Sequence, residues 1–353
     1  MASSVQDSRI PRVSVTAEPA AVSPLVADDA ATSQPTTGGA AASRPRADDA
    51  DRAAGRPSGP RAVARRLGRD RGAVVGAVIV VLTTLVAILA PVITRAVGVD
   101  AYSYNLDLLD DLGLPVGPFG GVSAAHPFGI EPQTGRDLFA IVVEGTRTSL
   151  SIGLGATLLS MLIAIGLGVS AGYVGGWWDA LISRVTDVTL GFPHLIFMIA
   201  ISALIPATAP RVLVMIVIIG VLGWPSTARV LRSRTLAVRV RAFVGASRAM
   251  GASESHVLLT QVLPNLVATI IVFTTISIPG KITAEAALSF LGVGVAPPTP
   301  SWGRSIGNAV TWVSTDPWYL LFPGAALFLV SLAFNIFGDG LRDALDPRTG
   351  EHR

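Results

Sequence analysis

The side chains best placed to do chemistry are a lysine and a glutamate within a strongly apolar stretch. Lys281 is the only lysine of the 353-residue chain, and Glu285 follows it one helical turn later. A charged group inside a membrane helix is costly, so it faces protein or water and commonly finds an opposite charge. We therefore expect Lys281 and Glu285 to form an intramembrane polar pair.

The remaining reactive residue types do not predict an enzyme site. The chain has no cysteine, and its four histidines, at positions 126, 194, 256 and 352, are too scattered to predict a metal cluster. Gly280-Lys281 is followed by Ile282 and not by the Ser or Thr of a phosphate-binding loop, so this pair does not predict nucleotide binding. The glycines of Gly166-x-Gly168-x-x-Ala171 fit close helix packing better than dinucleotide binding. We expect no catalytic residue, no metal site and no cofactor bound by this chain.

Composition indicates a membrane protein. Half of the residues are apolar, 14% are charged and the mean hydropathy is +0.58, which is too apolar for a soluble protein of this size. The net charge of +3 is carried almost entirely by arginine. Arginines beside apolar segments orient membrane helices. We expect membrane lipid as a partner, and no nucleic acid.

The predicted fold is an all-α integral membrane protein with six transmembrane helices. A span needs about 20 apolar residues, and the clearest one follows five arginines between positions 61 and 71. Such a cluster holds the N-terminus in the cytoplasm, and six spans return the C-terminus to the same side of the cell membrane. The predicted spans cover residues 73–93, 148–170, 188–204, 212–230, 266–293 and 318–336.

The same pattern divides the chain into four regions. Residues 1–60 have few large apolar side chains, which predicts a disordered cytoplasmic tail. Residues 61–97 hold the basic flank and the first span, and residues 98–145 form an extracytoplasmic loop region. Residues 146–348 contain the other five spans.

Residues 239–264 stand apart within that core, because their charges prevent them from spanning a bilayer cheaply. Apolar residues nevertheless recur at helical spacing on both sides of Gly251. Ser253 is a candidate N-cap and Pro264 a helix end. The segment predicts two short cytoplasmic helices at an angle, with an apolar stripe that fits a groove on a partner protein.

This segment resembles the cytoplasmic loop of ABC-importer permeases, whose pattern is Glu-Ala-Ala, three residues, Gly, then nine or ten residues to a hydrophobic-x-Leu-Pro. Gly245-Ala246-Ser247 takes the first place, without the glutamate, and Gln261 occupies a usually apolar position. The resemblance implies an ATPase coupling loop formed by Gly245, Ala246, Ser247, Arg248, Gly251, Ala252, Ser253, Glu254, Leu263 and Pro264.

Other motifs are similar to those of dipeptide and oligopeptide (nickel) importer permeases of the C-type. The stretch EAALSFLGVGVAPPTPSWG, residues 285–303, is the most specific of them. His126-Pro-Phe-Gly129, Gly135-Arg-Asp137 and the ending at residues 338–347 also match, so the resemblance covers about residues 70–348. It implies a type I ABC-importer permease fold.

The resemblance further implies half of a translocation path for di- or oligopeptides. The expected partners are a second homologous permease, two ATPase subunits that use ATP and Mg, and an extracytoplasmic substrate-binding protein or lipoprotein. Two alternatives remain open. The same machinery could import nickel chelates, haem or another small ligand, or the chain could be a stand-alone secondary transporter or channel. Several charges within spans and an inverted internal repeat would favour the stand-alone transporter, but the sequence shows only the Lys281 and Glu285 pair and no obvious repeat.

Overall fold

The computed structural model describes residues 60–206 and 208–345, so the predicted N-terminal tail, up to residue 59, lies outside the described residues. These two ranges contain no β-strand and only two isolated bridges, Leu109 with Pro115 and Ile130 with Asp137. The helices of eight or more residues, in chain order, are α1 (Pro60–Leu67), α2 (Arg71–Val97), α3 (Leu138–Val174), α4 (Gly176–Gly191), α5 (His194–Leu204), α6 (Arg211–Leu222), α7 (Pro225–Arg239), α8 (Ala242–Ala249), α9 (Glu254–Phe290), α10 (Trp302–Ala309) and α11 (Pro317–Leu345).

Four of these helices, α2, α3, α9 and α11, are long and apolar enough to cross a membrane. Two further candidates are helix pairs with a break: α4 and α5 meet at 86°, and α6 and α7 meet at 43°. Pro193 lies at the first break and Pro225 just after the second, where a ring without an N–H interrupts the helical ladder. Gly191-Phe-Pro193 is thus the site of a sharp bend, and the described residues hold four to six candidate spans.

Two predicted segment boundaries differ from the observed helix ends. We expected the second span to begin near residue 148, within a core that starts at 146, but α3 begins at Leu138. Asp137 explains the earlier start, because its carboxylate accepts a hydrogen bond from the Ala140 N–H at 2.7 Å and caps the helix. The glycine and aromatic residues at 172–179 suggest a short cytoplasmic turn, but α3 runs to Val174 and α4 begins at Gly176, so Gly175 alone connects them.

Close approaches between helices depend on glycine. A Cβ at Gly168 would lie 2.5 Å from the carbonyl oxygen of Ala228, so this glycine lets α3 and α7 touch. The expectation that Gly168 serves packing is confirmed, whereas an added Cβ at Gly166 would meet nothing within 4 Å. Trp302 is buried beside α3 and donates its indole N–H to the Val142 carbonyl at 3.0 Å.

The segment between α2 and α3 folds as a cap built from the two motifs of the predicted loop region. The His126 Nδ1 lies 2.7 Å from a carboxylate oxygen of Asp137. Glu131 is buried and accepts hydrogen bonds from Thr134 and from Tyr319 of α11. These contacts explain why the two motifs occur together, because they tie the cap to the start of α3 and to α11.

Candidate coupling loop and membrane cavity

The segment predicted to contact an ATPase folds as one short helix and a tight turn. After α8, Gly251 adopts a left-handed backbone with φ of +85°. The Ser253 side chain then caps α9 by accepting from the His256 N–H at 3.4 Å, as expected for an N-cap. Gly251 therefore lies at the predicted turn, and the glycine is required by the backbone angle, since a Cβ there would meet nothing within 4 Å.

The prediction of a second, separate short helix is wrong. Glu254 begins α9, which runs without an end to Phe290 through a π-helical segment at Leu258–Val262. Pro264 does not end a helix, because it stands directly after this segment, near the start of the long α-helical part. A proline is tolerated at that place because the wider π turn changes which N–H groups the helix requires.

The predicted apolar stripe separates into two faces. Val244 of α8 and Val257 and Val262 of α9 are fully buried in a cluster with Tyr173, Leu231 and Leu266. On the exposed side of α8, Phe243, Ala246 and the C-cap residue Met250 follow the i, i+3, i+7 spacing of one helical face, and Met250 is 83% exposed. We call Phe243, Ala246 and Met250 the outer face of α8.

A polar tether fixes this loop to the end of α3. The Tyr173 hydroxyl donates to the Glu254 carboxylate, and the Arg248 guanidinium donates to the same carboxylate at 3.1 Å. Arg248 also lies over the Tyr173 ring, 5.4 Å from its centroid. Hydrogen bonding to Tyr173 and Glu254 raises the pKa of Arg248. Arg248 and Glu254 were in the predicted loop, but no sequence signal linked them to Tyr173.

The other predicted loop residues divide by exposure. Gly245, Gly251 and Ser253 are exposed, Ala252 and Leu263 are half-buried, and Pro264 is exposed. Ser247 is buried and accepts, through its carbonyl, the N–H of Ala252 at 3.2 Å, which closes the turn. The missing glutamate at Gly245 leaves a position where a Cβ would meet nothing within 4 Å.

Arginines of α7 brace the same end of the bundle. Arg232 forms a two-pronged ion pair with Asp179 of α4, with its Nη2 at 2.7 Å. Arg239 donates to the last carbonyls of α3, those of Gly172 and Tyr173, both at 3.0 Å. These contacts were not predicted, because arginine frequency shows the side of the membrane but not the partner.

The predicted intramembrane pair does not form. Glu285 is 0% exposed and accepts hydrogen bonds from Ser149 at 2.8 Å and Ser289 at 2.7 Å. Lys281 instead donates to the Gly223 carbonyl at 3.1 Å. The separation has a steric reason, since Glu285 is enclosed between α9 and α3 while Lys281 points to the break between α6 and α7.

That break opens into a cavity of about 340 Å³, which is within the usual size range of ligand sites. Its wall contains Lys281 and Ser277 of α9, residues of both helix breaks, and no aspartate or glutamate. In the part of the chain that the structure describes, no group of three or more His, Cys, Asp or Glu side chains could hold a metal ion.

Comparison with known proteins places this architecture in a family. Residues 164–351 match the family described as binding-protein-dependent transport system inner membrane component, and residues 61–111 match the N-terminal TM domain of oligopeptide transport permease C. The chain belongs to this family of ABC-importer permeases, which are multi-pass membrane proteins that work with ATPase and substrate-binding partners.

Similar relatives narrow the subgroup. The chain is 37% identical over 284 residues to a dipeptide transport system permease protein of Alkalihalophilus pseudofirmus, covering 80% of this chain and 88% of the relative. It is 38% identical over 285 residues to a glutathione transport system permease protein of Escherichia coli O157:H7, covering 80% and 89%. A glutathione permease of Pectobacterium atrosepticum is 40% identical over 228 residues, covering 65% and 74%.

Proposed function

We propose that this chain is one of two permease subunits in an ATP-driven importer of short peptides. The outer face of α8 docks in a groove of a partner ATPase, and closure of the ATPases moves α9. The observation that carries this proposal is the two-sided α8, which buries Val244 in the bundle and leaves Phe243, Ala246 and Met250 exposed. An exposed apolar stripe on a fixed helix is the feature that helix-in-groove recognition requires.

The energy comes from outside this chain. The two ATPase subunits bind and hydrolyse ATP with Mg, while the permease binds no nucleotide. Peptide passes between this chain and a second homologous permease after delivery by an extracytoplasmic binding protein or lipoprotein. Alternate opening of that path inward and outward follows from a rigid-body movement of packed helices.

Peptide cargo is supported by the relatives, whose names state dipeptide and glutathione transport. Nickel chelates, haem or another small ligand stay alternatives for the same machinery. A stand-alone transporter is less favoured for two reasons. Glu285 accepts hydrogen bonds from two serines in a closed site, and Lys281 has no acidic partner among the described residues.

The topology that fits this function has six spans and both termini in the cytoplasm. Arg65, Arg66, Arg69 and Arg71 precede the first span, and the arginines of α7 and α8 lie near the coupling loop. Both groups lie on one side if each bent pair counts as one span, as the positive-inside rule requires. The cap between α2 and α3 is then extracytoplasmic.

The proposal is tested by reconstituting the chain with its second permease, ATPases and binding protein in vesicles, with dialanine and glutathione as probes. We expect ATP-dependent accumulation of at least one peptide. Accumulation of neither peptide, with a nickel chelate or haem taken up instead, would overturn the cargo, and uptake without ATPase subunits would overturn the mechanism.

The docking surface is tested separately with Met250→Asp, which places a charge on the most exposed residue of the outer face. We expect at least a tenfold loss of co-purified ATPase, because burying an unpaired charge is strongly unfavourable. Leu112→Asp is the matched control, since Leu112 is 74% exposed and lies in the cap between α2 and α3. Unchanged ATPase retention in Met250→Asp would remove α8 from the interface.

A further inference from the structure

The cavity beside Lys281 lies where two helix pairs are broken and where α9 contains an internal proline. Its wall is contributed by residues next to the α4–α5 break, by residues at the α6–α7 break and by α9 close to Pro279. Irregular backbone is tolerated at membrane depth only where it is buried in protein or lines a water-filled cavity. In secondary transporters, interrupted helices typically form the substrate site, and the same physical reason applies to other membrane transporters.

Lys281 gives this cavity a positive charge without an anion of its own. Its Nζ donates to the Gly223 carbonyl at 3.1 Å, and in the described residues no carboxylate lies within ion-pair distance. Gly223 follows the last residue of α6, so the ammonium sits at the negative end of a helix dipole. An ammonium carries three donors, and one carbonyl satisfies one of them.

Two helices also begin at this cavity. His194 is the first residue of α5, and Pro225, Ser226 and Thr227 form the first turn of α7; all four line the wall. The first N–H groups of a helix have no partner inside the helix, and they favour negative charge. The partial positive charge at the start of each helix adds to the positive charge of the Lys281 ammonium. The cavity wall therefore attracts an anion from more than one direction.

The shape of the backbone leaves space for that anion. A Cβ at Gly280, one residue before Lys281, would meet no atom within 4 Å, so the cavity is open beside the ammonium. At Gly223 a Cβ would collide with the Lys281 side chain, so glycine at this position allows the ammonium to reach the end of α6.

We propose that this cavity binds the carboxylate of a peptide during translocation, with the Lys281 ammonium as its principal partner. The proposal rests on the proposed function, because a short peptide is a cargo whose free carboxylate persists at neutral pH. The hydroxyls of Ser226 and Thr227 line the same cavity and can supply further donors.

The chain allows a direct test because it has one lysine and no cysteine. The complete importer is reconstituted with parent, Lys281→Met, Lys281→Arg or Lys281→Cys permease. Uptake of trialanine is compared with uptake of trialanine amide, which lacks the carboxylate. The binding protein is the same in each sample, so its own preference cancels in the ratio between variants.

We expect Lys281→Met to lower the preference for the free carboxylate by about 10- to 100-fold, the usual size of a lost charged hydrogen bond. Lys281→Arg retains most of the preference. Treating Lys281→Cys with 2-aminoethyl methanethiosulfonate attaches a new ammonium and restores the preference in the same sample. Propyl methanethiosulfonate adds an uncharged chain of similar length and does not restore it.

The outcomes separate the two proposals. If the parent takes up neither peptide, the peptide cargo of the proposed function is wrong. If the parent takes up trialanine and Lys281→Met keeps the same preference, or loses both peptides equally, Lys281 only braces the helix break and the inference is wrong. Parent permease treated with each reagent controls for cysteines of the partners. Where Lys281→Cys does not assemble, Lys281→Met against Lys281→Arg decides the question.

Discussion

Replacing Gly251 with valine is the sharpest perturbation of the proposed coupling loop. Gly251 connects α8 to α9 with φ of +85°, and a Cβ there would meet nothing within 4 Å. The substitution therefore creates no collision with the rest of the protein. Its whole effect comes from the backbone angle, which L-residues with a branched Cβ strongly disfavour.

The size of the effect follows from that angle. A left-handed conformation costs an L-residue about 1–2 kcal/mol, so the present turn becomes about 5- to 30-fold less populated relative to other turns. The Tyr173 hydroxyl holds Glu254 at the start of α9, so α8 is the part that reorients, with loss of its Arg248–Glu254 contact. The outer face of α8 then meets the ATPase groove at a different angle.

Two further variants isolate the cause. Gly251→Asn should behave almost as the parent, because asparagine tolerates a left-handed backbone. Gly245→Ala should stabilise α8 by about 0.5–1 kcal/mol, because Gly245 lies inside this helix and an added Cβ meets nothing within 4 Å. It serves as the control for adding a side chain to the same loop.

The assay measures retained ATPase subunits, peptide-stimulated ATP hydrolysis and uptake in the reconstituted complex. We expect Gly251→Val to lose ATPase retention, or to hydrolyse ATP without matching uptake, while membrane insertion and permease pairing stay normal. Parent-like values for retention, hydrolysis and uptake in Gly251→Val would refute the coupling role of this turn.

Other parts of the molecule give independent tests. Tyr173→Phe removes one donor to Glu254, and we expect a loss of local stability, seen as faster hydrogen exchange at the start of α9. Glu285→Ala leaves two buried serine hydroxyls without their acceptor, and we expect the thermal midpoint of the purified permease to fall, by more than in Glu285→Gln. A cysteine at Leu112, an exposed position, should react with an impermeant thiol reagent only from outside the cell, and labelling from the cytoplasm would contradict the topology. Burial raises the pKa of the Asp316 carboxyl, so its contribution to stability is largest at low pH and falls as pH rises through the folded-state pKa; Asp316→Asn should reduce this pH dependence in thermal unfolding.

Much of the fold could be predicted because it depends on local signals. Runs of apolar residues indicate spans, and Pro193 indicates the break that bends α4 against α5 by 86°. Gly251 and Ser253 indicate the turn and the cap before α9. Each of these features depends on the backbone preference or capping ability of one residue, which the sequence states directly.

The rest depends on which helices meet in space. A spacing of four residues suggested that Lys281 and Glu285 pair, but Glu285 is satisfied by Ser149, which is 136 positions earlier in the chain. Tyr173 likewise reaches Glu254 across 81 positions. A periodic pattern cannot predict such contacts, because it describes one helix at a time and both partners must be positioned by the packing of others.

The one structural correction to the predicted loop also links the two proposed sites. Glu254 in the tether and Lys281 in the cavity belong to the same helix, α9, and 27 positions at about 1.5 Å each separate them by about 40 Å. A separate short helix after Gly251 would be marginally stable and could move without disturbing the bundle. A continuous α9 cannot move independently of the bundle, because a displacement of its first turn is transmitted along the hydrogen-bonded backbone to the cavity wall. ATPase closure at α8 and release of a bound carboxylate at Lys281 would then be two ends of one movement.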